Sequence, residues 1–202
     1  GYATMKGYLV RPAKAAGTLP GVLVIHENRG LNPHIEDITR RLALDNFVAF
    51  APDALFPLGG YPGDEDKARE LFPKLDQVKT REDFIAGAAW LKARPECSGR
   101  YGAVGFCYGG GVVNFLATQL PDLAAGVVFY GIPPEQAAKP ADIRIPLQAH
   151  FANKDDWCTP AAVDALEAAM KAAGAKPEVF RYDADHAFCN QFLFYAFQIR
   201  IG

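Results

Sequence analysis

No stretch of this sequence carries the roughly 18 consecutive apolar residues that a membrane-spanning helix needs. It also has no dense block of Lys or Arg. Its 21 basic residues stand against 23 acidic ones, for a formal net charge of −2. That balance argues against nucleic acid or an anionic membrane as partner. Cysteine is scarce as well: four in 202 residues, with no C-x-x-C pair. This is too sparse for a disulfide scaffold, and reduced thiols in a cytoplasm are the expectation. No secretory leader is visible from Gly1 onward, although a leader trimmed before Gly1 would leave the same sequence. The four histidines show neither H-x-x-x-H nor H-E-x-x-H spacing, so no metal and no cofactor are expected. There is no internal repeat and no composition break, so residues 1–202 are expected to form one domain.

What is present is half hydrophobic and 22% charged, the balance of a globular chain. Met5 to Val10 reads as a short edge strand, and Gly21 to His26 as a continuous apolar strand covered on both faces. That strand ends abruptly at Glu27-Asn28-Arg29-Gly30. Asn32 can cap the next helix, Pro33 suits its first position, and Ile35, Ile38 and Leu42 share one face. Phe47 to Phe50 is a further strand. Residues 54–63, rich in Gly and Pro, read as a loop suited to walling a cleft. Asp64 to Phe72 and about Thr80 to Ala93 read as helices. Further strands are expected at Ala124 to Tyr130, Ile145 to Phe151 and Glu178 to Tyr182. Thr159 and Pro160 open a helix that Gly174 stops. Strands alternating with helices predict an α/β fold: a doubly wound, mostly parallel sheet with helices on both faces.

The chain is organised around Gly105-Phe106-Cys107-Tyr108-Gly109-Gly110. A buried-type strand leads into it and an apolar helical pattern leaves it. This is the G-x-nucleophile-x-G turn with cysteine as nucleophile, where flanking glycines permit a turn too sharp for side chains. The helix that follows directs its positive end at the thiol and favours thiolate. Asp155 or Asp156 follows a later strand and His186 the last one, the order nucleophile, acid, histidine of the α/β-hydrolase fold. His186 would take the thiol proton and the aspartate would fix its tautomer. The N–H groups of Tyr108 and Asn28 are the expected oxyanion hole. Each group has a plainer reading: a structural cysteine in a tight turn, a surface histidine, a helix-capping aspartate, a solvated Glu27.

Taken together the segments His26 to Asn32, Ala51-Pro52-Asp53, Gly105 to Gly110, His150 to Asp155 and Tyr182 to Phe188 resemble the dienelactone hydrolase family. The resemblance implies an α/β-hydrolase domain with Cys107, Asp155 and His186 as triad, Asp155 matching the motif position better than Asp156. It also implies that Glu27 interacts with the resting thiol and helps generate thiolate when substrate binds; a carboxylate can accept the thiol proton while disfavouring a free thiolate. The partner implied is a small ester or lactone, bound by a monomer or dimer. Two features depart from the family. Neither of its substrate-carboxylate arginines has a clear match, Arg29 and Arg69 being candidates, with Trp157 a further candidate substrate contact. The apolar tail Gln191 to Gly202 stands where the family continues with a long amphipathic helix. Other readings are a short-chain carboxylesterase or thioesterase, a catalytically silent scaffold, and a thiol redox sensor pairing Cys107 with Cys158 or Cys189.

Overall fold

A computed structural model describes residues 4–133 and 139–189. The tail from Gln191 lies outside these described residues. The strands build a seven-stranded, mostly parallel sheet. By contacts the chain divides into two units, Gly1–Gly102 and Ala103–Gly202, described in turn.

In the first unit, β2 (Leu19–Ile25) runs parallel to β3 (Val48–Pro52), and β1 (Gly7–Val10) lies antiparallel on the other side of β3. Val22, Leu23, Val24 and Ile25 are fully buried, which explains why β2 is apolar on both faces. Helix α1 (Pro33–Leu44) starts as its residues dictate: Pro33 is its first residue and the Asn32 side chain accepts from the Ile35 N–H. Its buried face is Ile35, Ile38 and Leu42. Helix α2 (Glu65–Leu71) is capped by the Asp64 carboxylate. Helix α3 (Gln77–Lys92) begins three residues before the expected Thr80, because the Asp76 carboxylate accepts from the N–H groups of Val78 and Lys79. The Gly/Pro-rich loop contains one 3₁₀ turn, Phe56–Leu58. Buried Asp53 organises this loop by accepting from the Leu55 and Tyr61 N–H groups.

In the second unit, the Ala103–Phe106 end of β4 (Cys97–Phe106), β5 (Gly126–Phe129), β6 (Leu147–Ala152) and β7 (Glu178–Tyr182) pair in parallel, in that order. Strand β4 starts well before the Gly105 turn and includes Ser98, Gly99 and Arg100. Helix α4 (Tyr108–Gln119) follows β4 and helix α5 (Pro160–Ala172) follows β6, capped by the Thr159 hydroxyl. Val163, Leu166 and Met170 are the buried face of α5.

Register stacks four flat rings across this unit. Phe106 pairs with Phe129, Phe129 with His150 and His150 with Phe180 on successive strands. Their rings lie at 11°, 12° and 12° to one another with centroids 5.1, 4.5 and 5.1 Å apart. His150 Nδ1 hydrogen-bonds the Tyr182 hydroxyl at 2.7 Å, and Nε2 is buried without a hydrogen-bond partner. Burial lowers the His150 pKa to about 4, so the ring is neutral in the folded protein at neutral pH. Unfolded, it takes a proton near its ordinary 6.5. Its contribution is therefore complete above pH 6.5 and is lost as pH falls from there towards 4. A shift of this size corresponds to about 3 kcal/mol. Urea unfolding of the wild type should show stability falling between pH 7 and pH 4.5, and His150→Phe should flatten that fall. An equally steep fall in the variant would place the acid sensitivity elsewhere.

Candidate active site

The turn at Cys107 is defined by backbone geometry. Cys107 has φ 52° and ψ −113°, a conformation that L-residues avoid, at the junction of β4 and α4. Such a position costs about 1–3 kcal/mol and persists only where its surroundings over-determine it. Here they do. The Cys107 N–H donates to the Phe129 carbonyl at 3.0 Å, and its carbonyl accepts from Gly111 at 3.1 Å. A Cβ on Gly105 would lie 2.1 Å from the Gly109 oxygen, and one on Gly131 would lie 2.5 Å from the Cys107 oxygen. Gly131 is a requirement that sequence reading missed, since it belongs to the loop after β5 and presses on the turn only in space. Asn114 on α4 ties the β5 loop to the helix, donating to the carbonyls of Gly110 within α4 and of Gly131. Tyr130 and Ala187 also have positive φ, of 38° and 62°. Strained residues thus stand beside Gly131 and directly after His186.

Around Cys107 the second unit brings three side chains together. His186 Nε2 lies 3.3 Å from Cys107 Sγ, and His186 Nδ1 lies 2.7 Å from Asp155 Oδ2. Because the partner is a carboxylate, Nδ1 donates and Nε2 faces the thiol. Asp155 is buried, and its other oxygen accepts from the N–H groups of Trp157 and Cys158, each at 2.8 Å. Asp156 is exposed. The acid and histidine loops are joined by Asn153 N–H to the Tyr182 carbonyl, Lys154 N–H to the Ala184 carbonyl, and a 2.8 Å ion pair between Lys154 and Asp183. Tyr130 packs edge-on against the His186 ring, 5.1 Å between centroids.

Tyr108 is the first residue of α4, where backbone N–H groups point along the helix's positive end. Trp157 is 80% exposed, its ring 6.2 Å from that of His186. Cys158 is buried, and its Sγ donates to the Tyr130 carbonyl at 3.2 Å. Burial, then the neighbouring Asp155 and Cys107, push its thiol up to about 12. It is therefore not a nucleophile at neutral pH.

Glu27, Asn28 and Arg29 follow β2 and are described within the first unit. Glu27 is buried and its carbonyl accepts from His26 Nδ1 at 2.6 Å. His26 Nε2 accepts from Ala54 N–H at 3.0 Å, which fixes the tautomer and staples the segment after β2 to the end of β3. Burial lowers the His26 pKa, so this staple is the neutral ring. Arg29 is paired with Glu65 at 2.6 Å, and Glu65 also accepts from the Asn32 side chain. Arg69 pairs with Asp66 in solvent. Both candidate arginines therefore already hold carboxylates of the chain itself.

A strained residue between a parallel strand and a helix, with acid and histidine after later strands of the same sheet, defines the α/β-hydrolase fold. A family model, the dienelactone hydrolase family, matches residues 5–192, and the chain belongs to that family. By class it is a carboxylic ester hydrolase. A candidate hydrolase fragment of Escherichia coli K12, YghX, is 55% identical over 76 residues, covering 38% of this chain and 65% of the fragment. A candidate carboxymethylenebutenolidase of the same strain is 31% identical over 198 residues, covering 91% of this chain and 73% of that protein. The crystal structure of a candidate dienelactone hydrolase from Klebsiella pneumoniae superposes with a TM-score of 0.80 at 31% identity, covering 91% of this chain and 82% of that one. Among the described residues no helix is long and apolar enough to cross a membrane.

The close approach at Gly131 makes a direct prediction. Gly131→Ala should lower stability by about 2 kcal/mol or more, because the methyl group meets backbone that has nowhere to yield. It should also slow alkylation of Cys107. A variant with wild-type unfolding midpoint and thiol reactivity would mean the turn is held by other contacts.

Proposed function

We propose that this chain hydrolyses small carboxylic esters or lactones through a thioester on Cys107. The observation that carries the reading is the continuous relay of Cys107 Sγ, His186 and the buried Asp155 carboxylate, at 3.3 and 2.7 Å. In the first step His186 Nε2 takes the thiol proton as sulfur attacks the acyl carbon. The developing imidazolium is stabilised by Asp155. The tetrahedral oxyanion is held by the Tyr108 N–H and, in this reading, the Asn28 N–H. Collapse expels the alcohol oxygen, which His186 protonates, and leaves the acyl group on sulfur. Water then attacks the thioester with His186 as base, releasing the acid and restoring the thiol. Glu27 governs when the thiol ionises, a role taken from the family resemblance. With Arg29 and Arg69 paired internally, the reading favours recognition of the substrate body by an aromatic surface, Trp157, over capture of a carboxylate.

Two measurements test it. Cys107→Ala should abolish hydrolysis of nitrophenyl acetate while leaving the fold intact, and intact-mass spectrometry of the wild type mixed with a slow ester should show the acyl adduct on Cys107. More than a few per cent residual turnover in a clean preparation would move the nucleophile elsewhere. Trp157→Ala should raise KM severalfold for esters with an aromatic group and leave kcat largely unchanged. A loss confined to kcat would make Trp157 a support for His186 and not a substrate contact.

A further inference from the structure

Cys158 is left over by that mechanism. It is three residues past Asp155, and the turn that aims the carboxylate also places this thiol: the Cys158 N–H donates to Asp155 Oδ1 at 2.8 Å. One ligand atom each from Asp155, Cys158 and His186 lie within 4.8 Å of one another. Sulfur, imidazole nitrogen and carboxylate oxygen are the three ligand types zinc accepts. Magnesium and calcium, which take oxygen alone, are poorly matched to them. Sequence spacing could not expose the group, because two members share one loop and the third comes from another.

We propose that Asp155, Cys158 and His186 form a three-ligand site for a thiophilic divalent cation of the zinc type, whose binding switches off the proton relay. Tetrahedral zinc, with bonds of about 2.0–2.3 Å, requires ligand atoms closer than 4.8 Å, so the side chains must draw in by about 1 Å. The histidine ligand is Nδ1, since that nitrogen lies beside Asp155 while Nε2 faces Cys107. The His186 side chain is 24% exposed, so the group is not sealed from solvent. The protons balance as follows. The Cys158 S–H bond breaks, its proton passes to solvent and sulfur binds the metal. The imidazole gives up its Nδ1 hydrogen, takes one at Nε2 and binds the metal through the freed Nδ1 lone pair. With Nε2 protonated and Nδ1 on the metal, the ring cannot accept the Cys107 proton. Cys107 is no ligand and keeps its thiol.

The binding claim stands on the ligand set alone, and only its effect on turnover rests on the proposed function. The Cys107→Ala protein, which retains all three ligands, is titrated with Co2+ and the near-ultraviolet thiolate-to-cobalt band is recorded, followed by displacement with Zn2+. One equivalent is expected, with the band absent in Cys107→Ala/Cys158→Ala and in Cys107→Ala/Cys158→Ser. A band that survives both Cys158 changes, or one that appears in the wild type but not in Cys107→Ala, overturns the assignment. In wild type, chelator-buffered Zn2+ should reduce turnover at least tenfold. Cys158→Ala should keep its basal turnover and tolerate at least tenfold more zinc. Undiminished zinc sensitivity in that variant also overturns it. A wild type inert towards every ester fails the functional reading alone, and the cobalt band still decides the metal site.

Discussion

Two backbones touch where the loop after β4 meets the loop after β5, and the second unit is arranged around that contact. The Cys107 N–H is bound to Phe129, and the Cys107 carbonyl lies so near Gly131 that no side chain fits there. Asn114 binds the β5 loop from α4 through the Gly131 carbonyl, and Tyr130 of the same loop packs against the histidine ring. The strain at Cys107 is thus sustained by contacts made for packing, and the sulfur is aimed by backbone before any side-chain chemistry is considered. Stability and reactivity are coupled here because they use the same few atoms.

Much of the fold was legible because its signals are local. Asn32 before Pro33, Thr159 before Pro160 and the apolar run Val22 to Ile25 each carry their meaning within a few residues, and helices and strands stand where they indicate. Errors occurred where a polar residue has two uses. Asp76 caps α3 and so starts it before Thr80, and Ser98, Gly99 and Arg100 lie within β4. At the candidate site, the Cys107 turn, Asp155 and His186 were marked by motif and chain order, and geometry brings these three side chains together. Gly131, Asn114 and Tyr130 carried no mark. Their part depends on which loop lies beside which, and that follows from register and not from spacing along the chain. The same holds for the ring stack, which exists only because Phe106, Phe129, His150 and Phe180 fall at one level of four strands.

His150 shows how a titratable side chain can serve as a flat, uncharged plate. A carboxylate or an amine at that level would carry charge into the stack, and an aliphatic side chain would break the ring spacing. The imidazole does neither while neutral, and it also reaches the Tyr182 hydroxyl at the foot of the histidine loop. Below about pH 4 that compromise ends, since the protonated ring has a buried nitrogen without a partner.

The stitching between the acid and histidine loops has a mechanical consequence. Asn153 and Lys154 each donate to the other loop's backbone, and Lys154 spans the gap again through Asp183. Thermal displacement therefore carries Asp155 and His186 as one body, and the carboxylate–imidazole bond is preserved through it. Cys107 is anchored separately, to β5. The sulfur-to-nitrogen gap is then the softer of the two contacts, and in the proposed reaction it is the one that fluctuations of the second unit would modulate.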